Sequence, residues 1–492
     1  MENVTSVNMT LPANSAADAK AGSKKIVLPM YMLICLVVSS VIGGGIFALP
    51  QNMASVSGAG GIMLAWLITG VGMTFLAVTF NQLSIRRPDI DTGMYGYVQS
   101  SFGDYIAFFT IWGMWNLYWI ANAGLIVLFF SALSELPGME MFKEGLTGPA
   151  IAGEVVLAFV LAGIFEAGLK LAAIFNVLMT IAKLLPLFVF ALFTTIVFKL
   201  ETFSIEFMGT FELGSTMDQV KNCMLYTAWV YAGIETATTF GSRGKTPSET
   251  GKATVIAFIA ITVIYILTCF LALGVVPRNE LAAMPNPSMA GVLSAAVGPW
   301  GGIFVNIGMM ISVFGCLVAC TMTMSEYLYN ISRGDRPTAP RIFAWLNPRG
   351  VPSVSLWVST VLIAVLLIYT GNTGAGYNEL ILLCTSLGLI PYFLTSISGM
   401  KNAMESGRQA RGWLIIATVA MVYSIWLIYA GGMKYVLLSS IPYAIGIACF
   451  MYSRKEQERP LLSGWKEICI SVVMVLIAIF ACYEIYSGRL AL

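Results

Sequence analysis

Long, almost wholly apolar stretches follow one another from residue 27 to residue 486, joined by short polar links. Each is long enough to cross the hydrocarbon core of a bilayer, about 30 Å, which takes roughly 20 residues of helix. Hydrocarbon holds no water to bond free peptide groups, so the crossing segments must satisfy their own backbones as helices. The expectation is an all-α membrane protein. With 58% hydrophobic and only 11% charged residues, the composition is unsuited to a water-soluble globule.

Thirteen spans are read, over 27–50, 60–84, 102–133, 148–166, 171–198, 219–241, 253–276, 300–329, 352–370, 379–399, 412–430, 435–452 and 467–486. The third is long for one crossing and too short for two, which predicts a single strongly tilted helix. Residues 1–25, rich in Ala, Ser, Asn and Lys, read as a disordered tail rather than a signal peptide, since no cleavable apolar core precedes the first span. Lys and Arg set the orientation, because they remain on the cytoplasmic side. With the N-terminus inside, 20 of them lie in inner loops, among them Lys20, Lys24, Lys25, Lys170, Arg243, Lys245 and Arg408, against 6 in outer segments. An odd number of crossings puts the C-terminus outside; if the last apolar run lies on the surface, it stays inside.

No histidine occurs, and the nine Cys lack metal-ligand spacing, so imidazole relays and HExxH zinc sites are excluded. No cofactor is expected, and the cysteines read as reduced packing residues. The basic loops are topology signals, not a nucleic-acid surface. Asp89, Asp91, Asp104, Asp218 and Asp335 fall in loops or at span ends, which argues against an intramembrane aspartate pair for catalysis.

Two spans break the rules for lipid-crossing helices. The first carries Gly43, Gly44 and Gly45 in "VIGGGIF", each about 1 kcal/mol worse than Ala in a helix, with Pro50 adding to the weakness. One reading makes the glycines a close-packing surface for a neighbouring helix. The other interrupts the helix, so that freed N–H groups face a cavity and bind an anion. The sixth span, "YTAWVYAGIETATTFGSRGK", has Gly233 mid-membrane and Glu235 two residues later. An intramembrane carboxylate marks a functional pathway by default; its plain alternative is a protonated Glu bonded to a neighbouring helix. Interrupted spans five apart are the pattern of two five-helix units of inverted topology.

Other polar residues intrude into the spans. In "IWGMWNLYWIAN", Trp115, Trp119 and Asn122 share one helical face, with Trp112 and Asn116 beside it. Aromatic packing with bonded amides is one reading of Trp115 and Asn116, and Asn122, deeper in the span, is expected at the cavity. Lys183 lies about twelve residues into the fifth span, with Pro186 after it. Its ammonium needs oxygen partners, which freed carbonyls of the first span and hydroxyls such as Thr321 and Thr323 are able to supply. Glu326 is read either as an inner gate or as a structural partner of an Arg.

These residues carry a resemblance. "SVIGGGIFALPQNMA", "SFGDYIAFF", "WVYAGIETA" and "GKATVIAF", at these separations, resemble the first, third, sixth and seventh helices of the amino acid–polyamine–organocation superfamily, within it the bacterial basic amino acid/polyamine antiporters and especially the arginine/ornithine exchangers. The similarity covers roughly residues 27 to 450. It implies a LeuT-like 5+5 inverted-repeat core, with 26–200 as the first repeat, 201–400 as the second, and two to three further helices over 401–492. It further implies a substrate α-carboxylate on the N–H groups of Gly44 and Gly45 and an α-amino group on carbonyls near Val41, Trp229 and Ala232. Trp229 would close over the ligand, Asn122 would bind polar atoms, and Glu235 would link occupancy to gating. Lys183 matches the lysine of sodium-independent members.

The function implied is exchange of a basic amino acid for a related amino acid or its decarboxylated amine across the cell inner membrane. Proton-coupled symport is the alternative, and a membrane sensor the more distant one. The partners implied are amino acid or amine substrates and the lipid bilayer, with room for a homodimer. Two departures bear on the side-chain pocket. Cys320 aligns with a tryptophan common in these exchangers, and Val230 stands where they carry a small polar residue, so a different or bulkier side chain than that of arginine fits the reading.

Overall fold

In a computed structural model, residues 30–90, 92–167, 172–235, 247–407 and 410–490 are described. The expected tail over 1–25, the inner-loop residues Lys20, Lys24, Lys25, Lys170, Arg243, Lys245 and Arg408, and Asp91 lie outside them. Among the described residues every regular element is helical.

Ten helices among the described residues are long and apolar enough to cross a membrane. They include α3 (Ala59–Arg86), α5 (Asp104–Ser134), α6 (Gly148–Glu166), α10 (Pro247–Val275), α13 (Pro299–Ser332), α14 (Ser353–Thr373), α15 (Tyr377–Glu405), α16 (Arg411–Ala430), α17 (Gly432–Glu456) and α18 (Trp465–Tyr486). The protein is therefore a multi-pass helical membrane protein. The expected third span is indeed one helix of 31 residues, and the thirteenth apolar run is a helix of crossing length. The fifth span is α7 (Ala172–Val197), with Pro186 inside it.

The first and sixth spans are not continuous. In the first, α1 (Met30–Val41) stops, Gly43 is extended at φ −112° and ψ −156°, a 3₁₀ turn runs over Gly44–Phe47, and α2 (Leu49–Val56) resumes the direction. Pro50 does not weaken this region. It lies in the first turn of α2, where its missing N–H has no intrahelical partner to lose. In the sixth, α9 (Thr216–Val230) starts from a Ser215–Asp218 capping box, ends at Val230, and gives way to turns over Tyr231–Glu235 with Gly233 at φ +103°. That conformation favours glycine because it brings a Cβ against the backbone.

The remaining elements are short: α4 (Met94–Phe102), α8 (Leu200–Ser204), α11 (Arg278–Ala283) and α12 (Ser288–Val297). The core sits around α5, which packs against both α13 and α15. Of the most apolar windows of α5 and α15, 78% and 72% are buried, against 17% for α18, so α5 is an interior rod and α18 a peripheral one.

Small residues allow this closeness. A Cβ on Gly388 of α15 would lie 2.4 Å from Leu117 of α5, and one on Gly446 of α17 would lie 2.6 Å from the Trp112 ring nitrogen. Gly113 of α5 is the tightest of these three meeting points. A Cβ there would sit 2.1 Å from Tyr443 Oη, 2.9 Å from Pro391 and 3.0 Å from the Leu387 carbonyl. Gly113→Ala is expected to destabilise the protein by about 1–3 kcal/mol through overpacking. A lowered thermal midpoint in detergent, with Gly163→Ala unchanged because nothing lies within 4 Å of its Cβ position, checks this.

Candidate functional site

The two breaks meet. A Cβ on Gly45 would lie 2.6 Å from Trp229 Nε1 and 3.3 Å from Val230, so the end of α9 rests on the bared backbone of the first span. The 3₁₀ turn leaves the N–H groups of Gly44 and Gly45 without an acceptor inside it, as helix starts do, and among the described residues neither donates elsewhere. The glycines also serve close packing: Cβ positions on Gly43 and Gly44 would lie 3.4 Å from Cys316 Sγ and 2.6 Å from Val313, both on α13. The triplet thus serves close packing and also interrupts the helix.

The carbonyl ends are held by a residue that the sequence reading passed over. Tyr265 of α10, fully buried, donates to the Val230 carbonyl at 2.6 Å and lies 3.5 Å from the Val41 carbonyl. One hydroxyl thus serves the C-terminal ends of two half-helices, where partial negative charge gathers. Its ring is held by Trp66 and Tyr231, with centroids 5.5 and 5.4 Å away, and Tyr231 stacks on Phe258. The Trp229 carbonyl, expected to be free, accepts from the Ala232 N–H at 2.9 Å, because the chain turns tightly there instead of opening.

Trp229 donates its indole N–H to Tyr377 Oη at 3.0 Å, at the first residue of α15. Fifteen residues further along α15, about 22 Å of helix, Tyr392 points at Glu235 from 3.4 Å. The Glu235 carboxyl is buried and also accepts from Tyr118 of α5. Tyr327 of α13 packs edge-on against Tyr118, centroids 5.5 Å apart, and Cys320 is among the groups electrostatically coupled to this cluster. Tyr118 stands inside the aromatic run read above, but a lone Tyr among tryptophans carries no sign of an acidic partner more than a hundred residues away.

Lys183 is buried on α7 with Cys316 as its electrostatic neighbour, and that cysteine also faces Gly43, so the lysine lies behind the first break. Thr321 and Thr323 are otherwise engaged. Thr321 Oγ1 accepts from Asn122 Nδ2 at 3.1 Å, and Thr323 bonds the Ala319 carbonyl of its own helix. Asn122 lines a small hole between α5, α6, α13 and α14, and among the described residues its Oδ1 has no hydrogen-bond partner; Leu125, one turn on, approaches the Cβ position of Gly44 at 3.3 Å.

Trp115 and Asn116 belong to packing: Trp115 Nε1 donates to Ser359 at 2.9 Å, and Asn116 bonds Trp112 of its own helix and accepts from Trp119. Among the described residues Glu326 forms no ion pair within 4 Å, Arg333 two turns on included. Glu154 of α6 went unread, although it is an intramembrane carboxylate like Glu235. It is 1% exposed, and its Oε1 has no hydrogen-bond partner.

Facing helix breaks, free main-chain N–H groups and buried charges within a bundle of crossing helices are the architecture of a membrane carrier for a small polar solute. Residues 30–452 match the amino acid permease family, and the chain belongs to it. It is 39% identical over 474 residues to an arginine/ornithine antiporter of Pseudomonas aeruginosa, covering 94% of this chain and 97% of that one. Arginine/agmatine antiporters of Chlamydia caviae and Chlamydia abortus are 36% and 37% identical, covering 96% and 93% of this chain and 99% and 96% of theirs.

Removing the Tyr265 hydroxyl leaves two half-helix carbonyls without their shared donor, at a cost of about 1–3 kcal/mol. Tyr265→Phe is therefore expected to lower the thermal midpoint and to loosen the breaks, read as faster hydrogen exchange at Val41–Gly45 and Val230–Gly233.

Proposed function

We propose that this chain is a secondary active transporter of the inner membrane that exchanges a basic amino acid for a related amino acid or its decarboxylated amine by alternating access. The contact of Trp229 with the bared Gly45 backbone carries the reading, because it joins the two breaks at one point. The names of the relatives supply the substrate class.

The substrate carboxylate accepts from the Gly44 and Gly45 N–H groups, where the dipole of the second half-span favours an anion. The α-ammonium meets the carbonyls of Val41 and Ala232, beside the Gly233 turn. Trp229 lies over this position and must swing off Gly45 to admit a ligand; its bond to Tyr377 is the catch on that side. On the other side Glu235, with Tyr118 and Tyr392, closes the path, and a cationic substrate group passing it competes with the tyrosines for the carboxylate. Asn122 lines the side-chain end with Cys320 and Val230, where these residues leave more room than a tryptophan would. Lys183 places a positive charge behind the first break, in the position that a coupling cation takes in carriers of this architecture, and Glu326 flanks the inner exit. In this reading 26–200 and 201–400 are units of inverted topology, 401–492 is peripheral, and the N-terminus is cytoplasmic, as the basic loops require.

Proteoliposomes loaded with labelled arginine decide the matter. Label is expected to leave only when arginine, ornithine or agmatine is present outside; accumulation driven by a proton gradient alone would mean symport, and no movement of any of these would end the proposal. Lys183→Ala is expected to insert normally and to lose roughly tenfold or more of the exchange rate, as removal of a functional intramembrane charge does. A fall in membrane-inserted protein without a fall in rate per molecule would make the lysine structural.

A further inference from the structure

The peripheral helix α18 leaves a crevice of about 410 Å³ between itself and α15 and α17, walled by Leu389, Ile390, Val436, Val473 and Ile477. Five hydroxyl-bearing residues line it, Tyr435 among them, and the other four are bonded inside the protein. Ser386 and Ser439 bond each other, Ser440 bonds the Leu437 carbonyl, and Tyr443 bonds the Leu387 carbonyl. An occupant therefore meets mainly hydrocarbon walls.

α18 holds the bundle through the adjoining side of the helix, with Ser471 and Ala478 buried and Ser471 bonded to Tyr105 Oη at 2.6 Å. The crevice face forms its own stripe. Cys469, Ile470, Val473 and Ile477 line the crevice, and Lys466, three residues before Cys469 and four before Ile470, lies on the same side of the helix one turn earlier. The stripe is about 16 Å long at 1.5 Å per residue, close to the half-thickness of a hydrocarbon core of about 30 Å. It begins with a cation. Lys466 is exposed, lies over the ring of Trp465 at the start of α18, where an interface is expected, and has no carboxylate within 4 Å among the described residues. Glu467 next to it is engaged by the Ser463 N–H and, at 4.0 Å, by Arg454. Lys455, at the end of α17 in the same hairpin, is also exposed.

We propose that this crevice is a phospholipid site: one acyl chain lies in it, and the phosphate meets Lys466. A cation followed by one leaflet of apolar groove matches the shape of a phospholipid. A void with no occupant would forfeit the dispersion contacts of its walls. The chain wedged between α18 and α15 would tie the peripheral helix to the bundle where protein contacts do not.

The test uses the full chain extracted in mild detergent from membranes of phosphatidylglycerol and phosphatidylethanolamine, with retained lipid counted by native mass spectrometry. Wild-type protein is expected to retain a phospholipid. Val473→Trp or Ile477→Trp, which fill the crevice, are expected to abolish retention. Lys466→Glu is expected to lower it by roughly fivefold or more, the effect of at least one surface charge. Val472→Trp, exposed on the same helix but outside the crevice, is expected to retain lipid like wild type. The proposal is overturned if wild type retains none, if both filling variants retain as much as wild type, or if the crevice holds a second copy, seen as a dimer that Val473→Trp separates.

Discussion

A peptide group cut loose in hydrocarbon must find a partner, and the centre of this protein is arranged around that requirement. Two spans stop short in the middle of the bundle, exposing carbonyls at Val41 and Val230 and N–H groups at Gly44 and Gly45. The carbonyls converge on one buried hydroxyl, Tyr265. The N–H groups stay open toward the contact with Trp229. Among the described residues the donors at the breaks stay free while the acceptors are partly answered, and the proposed docking of an anionic group rests on this asymmetry.

The stiffness behind the site comes from close approach elsewhere. α5 is buried nearly all round, and glycines on α5, α15 and α17 let aromatic rings and backbones interlock with no flexible side chain between them. Onto such rods the structure mounts the groups that need fixed positions: Tyr118 on α5, Val313 and Cys316 on α13, and Tyr377 and Tyr392 at two levels of α15. Among the described residues the irregular chain at the two breaks runs over Ile42–Phe47 and Tyr231–Glu235. Irregular backbone within a membrane is tolerated where protein or a polar cavity surrounds it, as here.

Much of this was legible beforehand. Span positions, the single long third helix, the break at the glycine triplet and the break before Glu235 all follow from runs of apolar residues and from residues that helices reject. Local chemistry was less so. Pro50 read as a weakness because its place relative to a helix start was unknown. The Trp229 carbonyl read as free because the tightness of the following turn depends on what packs against it. Glu154 was open to the same rule that singled out Glu235 and was overlooked. Tyr118, Tyr265, Tyr377 and Tyr392 are functional in appearance only through their partners, since a tyrosine in a span is as suited to packing as to a polar role.

What the sequence determined by itself is the solvent and the element type: apolar runs of crossing length require a membrane and helices, and three adjacent glycines and a buried acid mark where helices fail. What only the tertiary structure decided is which groups meet at those failures. The face on which a residue lies follows from helical periodicity, but its opposite number belongs to another helix, often hundreds of residues away. Tyr265 under Val41 and Val230, Tyr392 at Glu235, and Cys316 between Lys183 and Gly43 were settled by the packing of rods. That packing depends on the shapes of all the neighbours at once, and no single stretch of the chain contains it.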